Sequence, residues 1–237
     1  MTKVTNPILE SWYIYKKILN AMKTLFLYIL IVLPLSIISC NSKNDEIIPA
    51  TENAFIRMID LLPLEPLNDA EKSSLLFMRE EEKLARDVYD YLYLKWSLQI
   101  FDNISTSEQT HMDAILELLN RYELEDPAKQ DESGSFVNSD LQGLYTDLTK
   151  VGTTSIVDAL KVGAAIEEID ILDLNNALDA DVDNQDITMV YENLMKGSRN
   201  HLRSFVKTLG NQGVIYQPQY LTKEEYDAII NSEMERR

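Results

Sequence analysis

NDAEKSSLLFMREEEKLARDVYDYLYLKW, residues 68–96, is the stretch that decides the fold. Asn68-x-x-Glu71 has the spacing of a capping box, in which each side chain satisfies a free backbone N–H of the other residue. Beyond it Leu76, Phe77, Leu84, Val88 and Leu92 recur with the helical period, and no alternating β-branched run competes. The pattern predicts one long amphipathic helix from Asn68 to about Trp96. Glu81 follows Phe77 by four positions and precedes Leu84 by three and Val88 by seven, which sets its carboxylate among the apolar residues. On this phase Glu80 and Glu82 point more nearly outward.

The same period continues along the chain. Phe101, Ile104, Ile115, Leu118 and Leu119 predict a second helix that stops before Pro127, close enough to the first to lie antiparallel beside it. Residues 125–152 break the pattern with Pro127, Gly134, Gly143 and Gly152, and Ser139-x-x-Gln142 opens a short helix ending near Lys150. A third long helix is predicted from about Ser155 to Leu178, and a fourth from about Asp186 to Leu209, with Gly210 as stop. The tail, 212–237, carries a Pro218 turn and an amphipathic turn or two around Tyr226 and Ile230, predicted to pack on the outside. The expectation is all-α: two helical hairpins joined by one long crossover. That is the ferritin-like up-down-down-up four-helix bundle, here spanning 68–211.

Polar residues interrupt the apolar faces of all four long helices. Glu108 and His111 fall on the line Phe101, Ile104, Ile115, Leu118; Glu167 falls on the line Leu160, Ala164, Ile171, Leu174; and His201 lies between Leu194 and Phe205. Buried carboxylates without partners would each cost several kcal/mol (about 3–5 when a buried pair is broken), and a pair of divalent cations reverses that sign. Iron or manganese accepts mixed carboxylate and imidazole ligands, and Glu-x-x-His sends both side chains to one metal from one helix face. Plainer readings exist for each residue. Ser105-x-x-Glu108 has capping-box spacing, Glu81 belongs to a run of glutamates beside Lys83 and Arg86, and a small rotation of the third helix exchanges Glu167 for Glu168. The acidic loop 179–184 departs from a calcium loop, with Gln185 and Asp186 where a ligand and the turn glycine belong, and reads as a solvated connection.

Composition narrows the function classes. The 237 residues carry 39 acidic against 22 basic side chains, net −17, which disfavours nucleic acid as a partner. One cysteine removes internal disulfides, iron–sulfur cages and thiolate zinc sites, and two histidines must carry any imidazole chemistry. The seven glycines form no phosphate-binding loop. Near the start, Met22-Lys23 precedes an apolar run of 14 residues, Leu25–Ile38, shorter than the ~20 needed to span a bilayer. It ends Ile37-Ile38-Ser39-Cys40, which resembles a bacterial lipobox with Ile37 in place of the commoner Leu. The expectation is a signal peptide over 1–39, with Met22 as a possible true start, and lipidation of Cys40. The mature chain would be tied to an envelope membrane through that lipid and a polar tether, 40–67; an uncleaved anchor helix is the alternative.

MREEEKLARDVY (78–89), NISTSEQTHM (103–112), ALKVGAAIEEIDI (159–171) and GSRNHLRSF (197–205) resemble the successive motifs of a ferritin-like family of bacterial and archaeal proteins known as a domain of unknown function. The resemblance runs from about Leu75 to Tyr220. It implies a ferritin-like fold and a two-metal site with no established substrate, and by position it points to Glu81, Glu108, His111, Glu167 and His201 as ligands. The departure is Ser198, where the fuller two-metal pattern has glutamate, so a bridging carboxylate is missing and either Ser198 holds a water ligand or the second metal binds weakly. With iron or manganese bound, the expected activity is oxidation of ferrous iron or consumption of peroxide, with oxygen or peroxide as small substrate. The alternative is a lipid-tethered binding or structural module holding one metal or none.

Overall fold

The computed structural model describes residues 55, 57–180 and 182–236. Cys40, the predicted signal segment and most of the tether lie outside the described residues. Among the described residues no helix is long and apolar enough to cross a membrane, and every regular element is helical: α1 (Asp69–Trp96), α2 (Gln99–Arg121), α3 (Ser139–Gly152), α4 (Ile156–Ala180), α5 (Gln185–Asn211) and α6 (Lys223–Ile230).

α1 begins with the capping box the sequence predicts. Asn68 Oδ1 accepts from the N–H groups of Ala70 and Glu71, and Glu71 Oε2 accepts from Asn68 N–H at 3.0 Å. Glu71 Oε1 also takes the N–H groups of Asp183 and Asn184, so the acidic α4–α5 loop spends its amides on α1. Ser97, left-handed at φ 53°, ends α1, and Leu98 leads straight into α2. So short a link sets α1 and α2 antiparallel: Tyr89 stacks on Phe101 at one end, while Arg79 reaches the Met112 carbonyl at the other. α4 and α5 pair likewise, with Asp170 against Ser198 and Gly163 against Phe205. α1 also packs on α4 and α2 on α5, and α3 lies against α1 and α4. A Cβ at Gly163 would overlap the Phe205 ring, so only glycine lets α4 approach so closely. Phe205, Tyr89 and Phe101 then form a buried aromatic layer with centroids 5.4–6.3 Å apart.

The phase of α1 differs from the expected one. Leu75 and Met78 are buried, whereas Leu76 and Phe77 are only half-buried. The innermost line therefore runs Leu75, Met78, Glu82, Ala85, Tyr89, Leu92, at alternating steps of three and four. Glu80, Glu81 and Glu82 are all buried, so the expectation that Glu80 and Glu82 face outward is corrected. The reason is that the crossover wraps the flank of α1. Arg79 pairs with Asp126, Arg86 with Asp131, Lys83 with Asp87 and the Glu132 carbonyl, and Glu80 accepts from the N–H groups of Val137 and Asn138. Charges that an amphipathic wheel assigns to solvent are held by a loop instead. One predicted cap moves, and the capping alternative for Glu108 is removed. Asn138, rather than Ser139, caps α3, and Ser105 lies inside α2 with its hydroxyl on the Asp102 carbonyl, which leaves Glu108 free of any capping role.

The tail is fastened by Glu168, which the sequence offers as an alternative to Glu167. Its Oε1 accepts from the Tyr216 hydroxyl, and its Oε2 from the N–H groups of Gln219, Tyr220 and Leu221 at 2.7–2.9 Å. α6, opened by a Thr222–Glu225 capping box, lies on α5, where Arg203 donates to the Ile229 carbonyl.

Candidate metal centre

At the centre of the four long helices, Glu82 of α1, Glu108 and His111 of α2, Glu167 of α4 and His201 of α5 converge. Glu82, Glu108 and His111 form one group whose ligand atoms lie within 4.8 Å of one another; Glu108, Glu167 and His201 form another. Glu108 belongs to both. Its Oε2 is 2.7 Å from His111 Nδ1 and its Oε1 is 2.9 Å from His201 Nδ1. Glu82 Oε2 lies 3.2 Å from His111 Nδ1, and Glu167 Oε2 lies 3.4 Å from His201 Nδ1. The two imidazoles face each other with centroids 5.6 Å apart, both turning Nδ1 inward.

Of the residues singled out in the sequence, the structure brings together Glu108, His111, Glu167 and His201. Glu81 stands elsewhere, and Glu82 holds the place expected for it. The Glu81 carboxyl lies beside Asp173 and near Asp170 on α4. The cause is the rotated phase of α1, which turns position 82 to the seam and 81 toward α4. The spacing Leu75, Met78, Ala85, Tyr89 and Leu92 contains that signal, but Leu76 and Phe77 offer an equally apolar competing line.

The surroundings orient each ligand. Tyr89 donates to Glu167 Oε1 at 2.5 Å. His201 Nε2 lies 3.1 Å from Ser107 Oγ; donation from Nε2–H would leave the Nδ1 lone pair toward the carboxylates. His111 Nε2 lies against Gly197, where an added Cβ would come within 2.6 Å. In an exposed helix Gly→Ala gains about 1 kcal/mol of propensity. Here the clash dominates, so Gly197→Ala is expected to lower stability by about 1–3 kcal/mol and displace His111. Chemical denaturation checks the sign: a stabilised variant would mean that His111 moves aside at no cost.

The donor set fits cations better than it fits itself. Among the described residues, Glu82 Oε1, Glu108 Oε1 and His201 Nδ1 are buried without a hydrogen-bond partner. The 2.9 Å approach of Glu108 to His201 is thus close but misaligned for a hydrogen bond. Once Nδ1 gives up its proton, a carboxylate oxygen and an imidazole nitrogen so placed suit a shared cation.

The cluster's electrostatics are opposed in the same way. Burial favours neutral Glu108, but His201 and His111 outweigh it and hold this carboxylate below its usual range. Burial raises Glu82 despite His111, and burial together with Glu108 brings Glu167 up to about 7. Burial would lower the histidines, yet Glu108 and Glu82 push His111 well up, and Glu108 and Glu167 bring His201 to about 10. With chelator present, stability contributed by His201 is complete below its unfolded value near 6.5 and lost as pH rises through about 10. Glu167, also raised, loses stability between its ordinary 4.5 and about 7. The chelated protein should therefore melt several degrees lower at pH 9 than at pH 6. Melting curves that rise over this interval would contradict the ion-pair arrangement.

Residues 71–233 match the family model for an uncharacterized protein domain, DUF2202. The chain is 56% identical over 181 residues to the uncharacterized protein MJ0754 of Methanocaldococcus jannaschii, covering 76% of this chain and 97% of that protein. The crystal structure of the hypothetical protein MJ0754 from Methanococcus jannaschii is similar with a TM-score of 0.72 and 57% identity, over 73% of this chain and 99% of that one.

Proposed function

The chain belongs to the DUF2202 family, and from the cluster at its centre we propose a ferritin-like protein with a carboxylate–histidine two-metal site, taking iron or manganese. The carrying observation is Glu108, whose two oxygens each serve one imidazole while a further carboxylate flanks either side. The ferritin-like assignment is supported by the antiparallel pairs α1/α2 and α4/α5, the crossover through α3, and a site drawn from all four long helices.

In this reading Glu82, Glu108 and His111 would hold the first cation, and Glu108, Glu167 and His201 the second. Bound iron would supply one-electron redox chemistry toward oxygen or peroxide, with ferrous iron itself as a possible substrate. The protein orients the ligands through Tyr89 and Ser107 and excludes bulk water with the Tyr89–Phe101–Phe205 layer. The lipobox-like segment ending at Cys40 supports placement at an envelope membrane; Cys40→Ala should release the protein from the membrane fraction or block signal cleavage.

One observation favours a second reading. Each imidazole has two carboxylates within 3.4 Å, which push its pKa up, so the cluster can act as an ion-paired structural lock without metal. Metal analysis of the purified full chain, with melting curves before and after chelation, separates the two. Two iron or manganese ions per chain and a lower melting temperature on chelation support the metal site. Absence of copurified metal, with no shift on adding ferrous or manganous ion, supports the lock.

A further inference from the structure

Position 198 lacks the carboxylate that would make the two halves of the cluster alike, but the structure places another beside it. Asp170 follows Glu167 by three residues on α4, so it lies one turn along the same helix face. It is 6% exposed, and its Oδ2 accepts a short hydrogen bond from the Ser198 hydroxyl. Ser198 is itself fully buried and also bonds the Leu194 carbonyl, so the serine is a fixed tether rather than a passing contact. Asp170 Oδ1 has no hydrogen-bond partner among the described residues. Charges near it include Glu82, Glu167 and Glu108, three of the cluster's ligands, and Glu81, which stands outside the cluster. Glu82 Oε1 is likewise buried and unpartnered. An aspartate with four carboxylates near it, one oxygen tied to a serine and the other left bare, suits a cation.

We propose, resting on the two-metal reading, that Asp170 is a further metal ligand: α4 supplies, through Glu167-x-x-Asp170, the carboxylate that α5 omits at position 198, and Ser198 orients it. α4 then contributes two carboxylates and α5 a serine and a histidine. Ser198 is a positioning residue in this scheme, acting only through Asp170.

The test is cobalt(II) titration of the full chain after chelation, followed by calorimetry and by the visible absorption of bound cobalt. Wild type should bind two equivalents. D170N keeps the shape and can still accept from Ser198, but it should bind one equivalent, or the second at least about tenfold more weakly, with a changed cobalt spectrum. S198A should weaken the second equivalent less, because Asp170 stays but loses its tether. S198E alone should add nothing and crowd Asp170, whereas D170N/S198E should regain two equivalents. After chelation D170N should melt no lower than wild type, because it replaces a carboxyl whose charged form burial and neighbouring carboxylates disfavour, and keeps an acceptor for Ser198; this guards against reading misfolding as lost binding. D170N matching wild type in stoichiometry and affinity overturns the proposal, as does S198E alone raising the stoichiometry. Wild type binding no cobalt defeats the two-metal reading itself, and this proposal with it.

Discussion

Glu108→Ala is expected to lose both metals at once and to carry the largest stability cost of any substitution in the cluster. Each oxygen of Glu108 serves a different imidazole, at 2.7 and 2.9 Å, and among the described residues Glu108 alone belongs to both ligand groups. With chelator present, the variant leaves two buried imidazoles 5.6 Å apart without their shared counter-charge. Breaking a buried pair by removing one partner costs about 3–5 kcal/mol. Metal-loaded wild type gains on top of that the binding free energy, about 2.7 kcal/mol for each site at a hundredfold excess over its Kd. Glu82→Ala should affect mainly the His111 half, and Glu81→Ala should leave both metals in place. Metal content and melting curves for the three variants decide this. Two tightly bound metals in Glu108→Ala would remove Glu108 from the centre of the scheme, and loss of metal in Glu81→Ala would return position 81 to it.

Glu168→Ala should detach the C-terminal segment. The Tyr216 hydroxyl and the three consecutive N–H groups of Gln219, Tyr220 and Leu221 all donate to this one carboxylate. An orphaned buried donor costs about 1–3 kcal/mol, and the four are not additive because the freed segment can reach water; a total of about 3–5 kcal/mol follows. For a domain of this size that is a drop of roughly 6–20 °C in Tm. Limited proteolysis should then cut between Val214 and Thr222 while α1–α5 stay protected. Metal stoichiometry should remain that of wild type, since Glu168 faces the tail while its neighbour Glu167 faces the cluster. A protected tail, or loss of metal without loss of the tail, would contradict this division of labour between adjacent glutamates.

Most of the architecture is legible in local patterns. Helix ends follow from short-range chemistry, such as Asn68 with Glu71, because capping bonds join residues three apart. The long helices follow from their period, and four of the cluster's residues follow from sitting on apolar lines: Glu108, His111, Glu167 and His201. Glu82 is the instructive exception. α1 is buried on several sides at once, by α2, α4, α3 and the crossover, so its wheel has no single apolar face to give the phase.

By itself, then, the sequence determines that the chain is helical, where its long helices begin and end, and that carboxylates and both histidines interrupt their buried faces. Those are consequences of periodicity and of bonds between near neighbours. Only the tertiary structure decides that Glu82 rather than Glu81 enters the cluster, that Glu168 holds the tail, and that Asp170 comes to lie against Ser198. Each of these depends on the rotation of a helix against partners distant in sequence. A turn of 100°, one residue on the wheel, costs almost nothing locally yet exchanges one carboxylate for the next at the centre of the molecule.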